Sequence, residues 1–216
     1  MAKKDLKRGV FITLEGVEGC GKSTQSGLLY DHLKSVYPCV HTREPGGTQL
    51  GERIRSVLLH SDGIGISDLS ELYLFEAARA QIVKEVIAPA LKRRSVVICD
   101  RFSDATFSYQ GYGGRVPLET ISGLDAIATD GLKPDLTILL DIDVLTGLTR
   151  AKKKGVDRME QKDLAYHRRV RAGYLKRAKA EPQRIKVIKV CKEIPETQER
   201  IRHEVERVIQ RYKRAG

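Results

Sequence analysis

The chain has no tryptophan, two methionines and four cysteines in 216 residues. Cys20, Cys39, Cys99 and Cys191 are far apart and form neither a C-x-x-C pair nor a zinc-ligand spacing, so they read as reduced thiols. No stretch approaches the ~20 apolar residues needed to span a bilayer, which excludes a transmembrane helix. The opening Met1-Ala2-Lys3-Lys4-Asp5 lacks an apolar core before a small-residue cleavage site, so the expected location is cytoplasmic. There is no internal repeat and no low-complexity linker, so one domain over 1–216 is expected.

Acidic side chains are also scarce relative to basic ones: 28 against 39, a net charge of +11. Such an excess suits an anionic partner, either nucleic acid or a phosphorylated small molecule. Many of the positive charges lie in the last third, among apolar residues at helical spacing, as on a solvated helix face. At 41% hydrophobic residues the chain has ample material for a core and is not of disordered composition.

Strand-like and helix-like segments alternate. Val10-Phe11-Ile12-Thr13-Leu14 is short, apolar and β-branched, the pattern of a buried strand. The spacing then predicts a helix over 22–37 with Leu28, Leu29, Leu33 and Val36 on one side, a short strand near Val40, and helices over 49–59 and 69–92. Strands are expected at 95–99, 136–140 and 185–190, with a helix after Pro195. This alternation predicts an α/β fold: a parallel sheet of about five strands covered on both faces by helices. Ligands of such sheets bind beyond the carboxyl ends of the strands.

Directly after the first strand stands Gly16-Val17-Glu18-Gly19-Cys20-Gly21-Lys22-Ser23-Thr24, a G-x-x-x-x-G-K-S run that opens a helix. Small residues let successive backbone N–H groups face phosphate oxygens, and the helix N-terminus adds its dipole. In this pattern Lys22 reaches the β- and γ-phosphates and Ser23 serves Mg²⁺. The loop fixes a nucleoside triphosphate site. It does not separate an ATPase from a kinase, which needs an acceptor site as well.

Three further segments stand where an acceptor site belongs: Thr42-Arg43-Glu44-Pro45-Gly46-Gly47-Thr48, with Arg55 beyond it; Phe75-Glu76-Ala77-Ala78-Arg79; and Asp100-Arg101-Phe102, with Thr106, Tyr109 and Gln110 downstream. With the phosphate loop, they make the chain resemble thymidylate kinases over roughly 11–174. The resemblance implies a P-loop nucleoside monophosphate kinase fold, transfer of the γ-phosphoryl of ATP to dTMP, Mg²⁺ as cofactor and a homodimer, with neither nucleic acid nor a membrane as partner.

It also implies roles. Phe75 stacks on thymine and Arg79, four residues on and so on the same helical face, bonds its O4 edge. Arg55 and Arg101 clamp the acceptor phosphate with planar guanidinium forks. Glu18 accepts from the sugar 3′-hydroxyl, Tyr109 crowds the 2′ position, Gln110 reads the N3 edge, and Thr106 lies near the base. Asp100 ends a buried strand and Glu44 follows another; either carboxylate could orient the metal or position the acceptor arginines. The resemblance also makes the bond before Pro45 a cis peptide.

Relatives that carry glycine at the position of Gly19 supply catalytic charge from a lid. Here that lid would be a basic stretch over about 150–160, with Arg150 and Arg158 beside the transferring phosphoryl group and Lys152 or Lys154 assisting. Lys22 and Arg101 complete the expected catalytic set. Two rivals stay open at this level. One is a kinase of the same fold with another acceptor, and the other is a nucleic-acid-stimulated ATPase suggested by the net charge and the basic C-terminal helix.

Overall fold

The computed structural model describes residues 3–60, 64–152 and 158–213. Among them run five strands, β1 (Val10–Glu15), β2 (Cys39–Arg43), β3 (Val96–Asp100), β4 (Leu136–Asp141) and β5 (Ile185–Lys189), in the order β2-β3-β1-β4-β5. Every pairing is parallel, with Leu14 opposite Asp100 on one side of β1 and Thr13 opposite Thr137 on the other.

Period-two alternation sorts the central strand residues to two faces. Val10, Ile12 and Leu14 of β1 point with Ile98 and Ile138 toward α1 (Lys22–Lys34) and α9 (Ile194–Gln210), where Leu29, Leu33, Ile201 and Val205 meet them. Phe11, Val97 and Cys99 point the other way, against Ile82 and Ile87. Phe11 also packs edge-on against Phe102, with ring centroids 4.9 Å apart. α8 (Leu164–Ala180) covers the rest of that face with Tyr166, Val170 and Tyr174.

Most expected elements stand within a few residues of their sequence positions. Leu28 is a correction: it is exposed, while Leu29 and Leu33 are buried, because the helix turns ~100° per residue and cannot hide adjacent leucines equally. The long helix expected over 69–92 is α3 (Asp68–Ile82), a π-helical turn (Val83–Ile87) and α4 (Ala88–Lys92) in succession. Pro89 removes a backbone donor inside that run, and the wider turn precedes it. A second π-helical segment (Phe107–Gly113) follows the short α5 (Ser103–Thr106) and carries Tyr109 and Gln110. Residues 153–157 of the expected lid, Lys154 among them, lie outside the described residues.

Candidate active site

The carboxyl ends of β1, β2, β3 and β5 open into one cavity of about 670 Å³. Its walls include Glu18 to Gln25, Glu44, Arg55, Phe75, Arg79, Asp100, Arg101, Thr106, Tyr109, Gln110 and Arg150. Nearly every expected site residue is therefore on one surface.

The phosphate loop is closely packed. Gly16 and Gly19 both have positive φ, and a Cβ on Gly19 would fall 1.9 Å from the carbonyl oxygen of Gly147 in α7 (Val144–Lys152). An arginine at this position is thus sterically excluded unless α7 moves. Gly16 and Val17 do not line the cavity; their carbonyls accept from Lys22 Nζ at 3.0 and 3.1 Å. Those carbonyls hold the lysine within its loop.

Ser23 Oγ donates to Asp100 Oδ2 at 2.6 Å, which joins the loop to the end of β3. Among the described residues no group of three or more His, Cys, Asp or Glu could hold a metal by itself. A Mg²⁺ shared between two phosphates and its own waters requires only one or two protein oxygens, so the Ser23–Asp100 pair suits it. Glu44 is committed elsewhere: Oε2 takes both Arg79 Nε at 2.9 Å and a terminal Arg79 nitrogen at 2.8 Å, while Oε1 is buried without a hydrogen-bond partner. The Glu44–Pro45 peptide is cis.

Arg79 is 1% exposed and meets three carboxylates: Glu44, Glu76 and Asp125. It also donates to Thr106 Oγ1 at 2.9 Å. Burial opposes its charge, but the three acids outweigh burial and raise its pKa further. Thr106 therefore stands near the base region as a support for Arg79. Phe75, half-buried on the same helical face, offers its ring to the cavity.

Arg101 has a left-handed backbone, φ 71°, just past β3. The next residue, Phe102, donates its N–H to Glu15 at 2.7 Å, and Glu15 takes the Tyr174 hydroxyl at 2.7 Å on its other oxygen. The Arg101 guanidinium meets Gly16 O, Tyr174 Oη, Glu18 Oε1 and Tyr109 Oη at 2.7–3.2 Å. Arg101 thus pairs with Glu18 of the phosphate loop, not with its neighbour Asp100. Burial pushes the Glu18 carboxyl up, but Arg101 and Lys22 outweigh it and bring it down to about 2. Glu18 stays an acceptor at any working pH.

Glu15 behaves in the opposite sense. Burial, with Asp104 repelling, pushes its carboxyl from 4.5 up to about 7. The folded chain then keeps a proton that the unfolded chain has released, so this group's effect is a loss of stability as pH rises from about 4.5 to about 7, with no further change above. Glu15→Gln, which keeps the Phe102 bond, is expected to flatten that fall by up to roughly 1 kcal/mol per pH unit. Urea unfolding at pH 5, 6, 7 and 8 checks this; equal slopes in variant and parent would assign the effect to another group.

Two expected lid cations separate. Arg150, exposed at the end of α7, lines the cavity, and Lys152 stands two residues further on in the same helix. Arg158 does not line it. Its guanidinium is bonded to the Glu71 carboxylate, and its Nε donates to Leu58 O at 2.8 Å, because a buried carboxylate on α3 is the nearest strong acceptor.

Sequence reasoning missed the far wall. Val190, Cys191 and Lys192 in the turn from β5 into α9, with Ile194 and Thr197 in the first turn of α9, also line the cavity. Thr197 Oγ1 accepts from Cys191 N at 2.9 Å, and Gln25 Nε2 donates to Ile194 O at 3.1 Å, which ties this turn to α1. The position after the last parallel strand was the available signal. Tyr174 was also missed, since its hydroxyl meets Arg101 only through the packing of α8.

Residues 14–201 match the family model described as thymidylate kinase. The chain is similar to a thymidylate kinase of Pelobacter propionicus, 50% identical over an alignment of 184 positions, with 82% of this chain and 84% of that protein covered. It is similar to one of Symbiobacterium thermophilum at 46% identity over 209 residues, covering 96% of this chain and 98% of the other. A crystal structure of thymidylate kinase from Ehrlichia chaffeensis superposes with a TM-score of 0.76 at 35% identity, over 91% of this chain and 98% of that one.

Proposed function

The chain belongs to the thymidylate kinase family, and on that premise we propose how its side chains divide the work of the reaction. The reaction transfers the γ-phosphoryl of ATP to dTMP and yields dTDP and ADP. The observation that supports the division of labour is that one continuous cavity holds the phosphate loop at one end and Phe75, Arg79, Arg101 and Gln110 at the other.

The triphosphate lies along the loop from Gly16 to Thr24, with Lys22 following the γ-phosphate, and the adenine rests against the turn from β5 into α9. Mg²⁺ would be held by Ser23 and Asp100 and would supply positive charge to offset that of the phosphates. The acceptor base lies on Phe75 with its O4 edge toward Arg79. A guanidinium has five N–H donors: Glu44 takes Nε–H and one hydrogen of a terminal nitrogen, Glu76, Thr106 and Asp125 share the two hydrogens of the other, and one N–H is left for the base. Glu44 serves as the support of Arg79. Glu18 takes the 3′-hydroxyl, and Tyr109, hydrogen-bonded to Glu18 at 2.6 Å, fills the space a 2′-hydroxyl would need.

Arg101 and Arg55 hold the acceptor phosphate. One of its oxygens, already ionised, attacks the γ-phosphorus in line. The bond from that phosphorus to the β–γ bridging oxygen breaks, and ADP leaves with the electron pair, so no general base is required. Arg150 supplies positive charge to the transferring group within a single domain.

ADP formation from ATP with dTMP, dUMP, dCMP or AMP, against an acceptor-free control, tests the assignment. ADP formation that is equal with and without dTMP would refute it. Phe75→Ala is expected to raise the KM for dTMP roughly 10–100-fold, the worth of one base–aromatic stack, while ATP affinity holds. Equal loss at both sites would place Phe75 in the core instead.

The active form is a homodimer in the cytoplasm. α2 (Gln49–His60) packs on α3, and α3 on α6 (Leu118–Thr129), and the first two carry exposed Leu50, Leu69 and Tyr73. No helix among the described residues is long and apolar enough to cross a membrane. Tyr73→Glu is expected to halve the mass seen by light scattering, and an unchanged mass would move the interface elsewhere.

A further inference from the structure

Gln110 lines the cavity, and its carboxamide is held from behind. Its Nε2 donates at 2.8 Å to Oε1 of Glu71, a side chain 3% exposed on α3 that does not itself reach the cavity. The other Glu71 oxygen is bonded to Arg158. A carboxylate paired with a guanidinium offers only acceptors, so the amide can face it only with its NH₂ group. The carbonyl of Gln110 must then point the other way, toward the ligand.

We infer that Glu71 is a positioning residue that fixes the hydrogen-bonding sense of Gln110, so that the cavity selects a pyrimidine carrying a proton on N3. The inference rests on the reading that Gln110 meets the N3 edge of the acceptor base. Thymine donates from N3 and matches a carbonyl. Cytosine has a lone pair there and would leave two acceptors facing each other in a buried site, which costs more than a missing bond. Turning the amide over would cancel this selection, and the fixed charge of Glu71 forbids the turn.

Glu71→Gln should invert the sense. Arg158 only donates, so it claims the carbonyl of the new glutamine, whose NH₂ group then faces position 110. Gln110 must answer with its carbonyl and present its NH₂ group to the base. The probes are dTMP and 5-methyl-dCMP, which differ only at positions 3 and 4 of the ring, compared by competition for binding.

The expected result is weaker dTMP and tighter 5-methyl-dCMP, so that the affinity ratio falls at least about tenfold. Arg79 still opposes a 4-amino group, so some preference for dTMP survives. In a Gln110→Ala background the same substitution should leave the ratio unchanged. A purely structural role would move both ligands in one direction.

If Glu71→Gln does not fold, Glu71→Leu with Arg158→Leu removes the part-buried pair as a unit. It frees the amide, so the ratio should still fall, though by less. A ratio unchanged in the folded variant, or a shift that persists without Gln110, overturns the inference. Failure of the underlying reading looks different: Gln110→Ala alone would then leave the dTMP to 5-methyl-dCMP affinity ratio of the unmodified enzyme unchanged.

Discussion

Arg101→Ala is expected to lower kcat/KM for dTMP about 10³-fold, the scale that applies when a largely buried charge pair loses one member and an anionic ligand loses its clamp. The side chain joins the two halves of the site. Its guanidinium lies against Gly16 O and Glu18 on the donor loop and against Tyr109 and Tyr174 on the acceptor side. Its removal takes from Glu18 its ion-pair partner and the main charge that favours its ionisation, and leaves that carboxyl with Tyr109 alone beside the proposed place of the acceptor phosphate. Arg101→Lys should recover only part of the loss, because an ammonium keeps the charge without the planar fork. Steady-state kinetics, with melting temperatures to confirm folding, check both variants. A loss below tenfold for the alanine variant would remove Arg101 from the phosphate clamp.

Arg150→Ala is expected to act on a different parameter. A cation supplied in cis to a transferring phosphoryl group is worth about 10³–10⁵ in turnover. Because that charge is used in the transition state, kcat should fall about 10³-fold while the KM for dTMP changes little. Arg158→Ala should cost less turnover, since that guanidinium is engaged with Glu71 and Leu58 O. The two variants therefore rank the lid cations. If Arg158→Ala is the more damaging to kcat, Arg158 leaves Glu71 during the cycle and the assignments exchange.

Much of this site was legible because its parts follow strands. Gly16 to Ser23 stands after β1, Glu44 after β2 and Asp100 at the end of β3, and each carries a short local pattern that survives in one dimension. The turn from β5 into α9 has the same location but no such pattern. Val190, Cys191, Lys192, Ile194 and Thr197 form that wall, and together they match no short recognisable motif. Arg158 shows the opposite failure. Its basic, glycine-containing surroundings suggested a place beside the phosphates, yet Glu71, 87 residues away in the chain, is the partner it meets.

From the sequence alone came the parallel α/β layering, the phosphate loop and, through the resemblance to thymidylate kinases, the expectation of an acceptor site at Phe75, Arg79, Arg101, Tyr109 and Gln110. Periodicity and nearest-neighbour spacing are properties of a chain before it folds. Only the tertiary structure decided which charges are paired and in what sense: Arg101 with Glu18 and not Asp100, Glu44 with Arg79, Ser23 with Asp100, and Glu71 behind Gln110. An ion pair or an amide orientation depends on angstrom-scale distances between segments far apart in the chain, and on burial that leaves each donor few acceptors from which to choose.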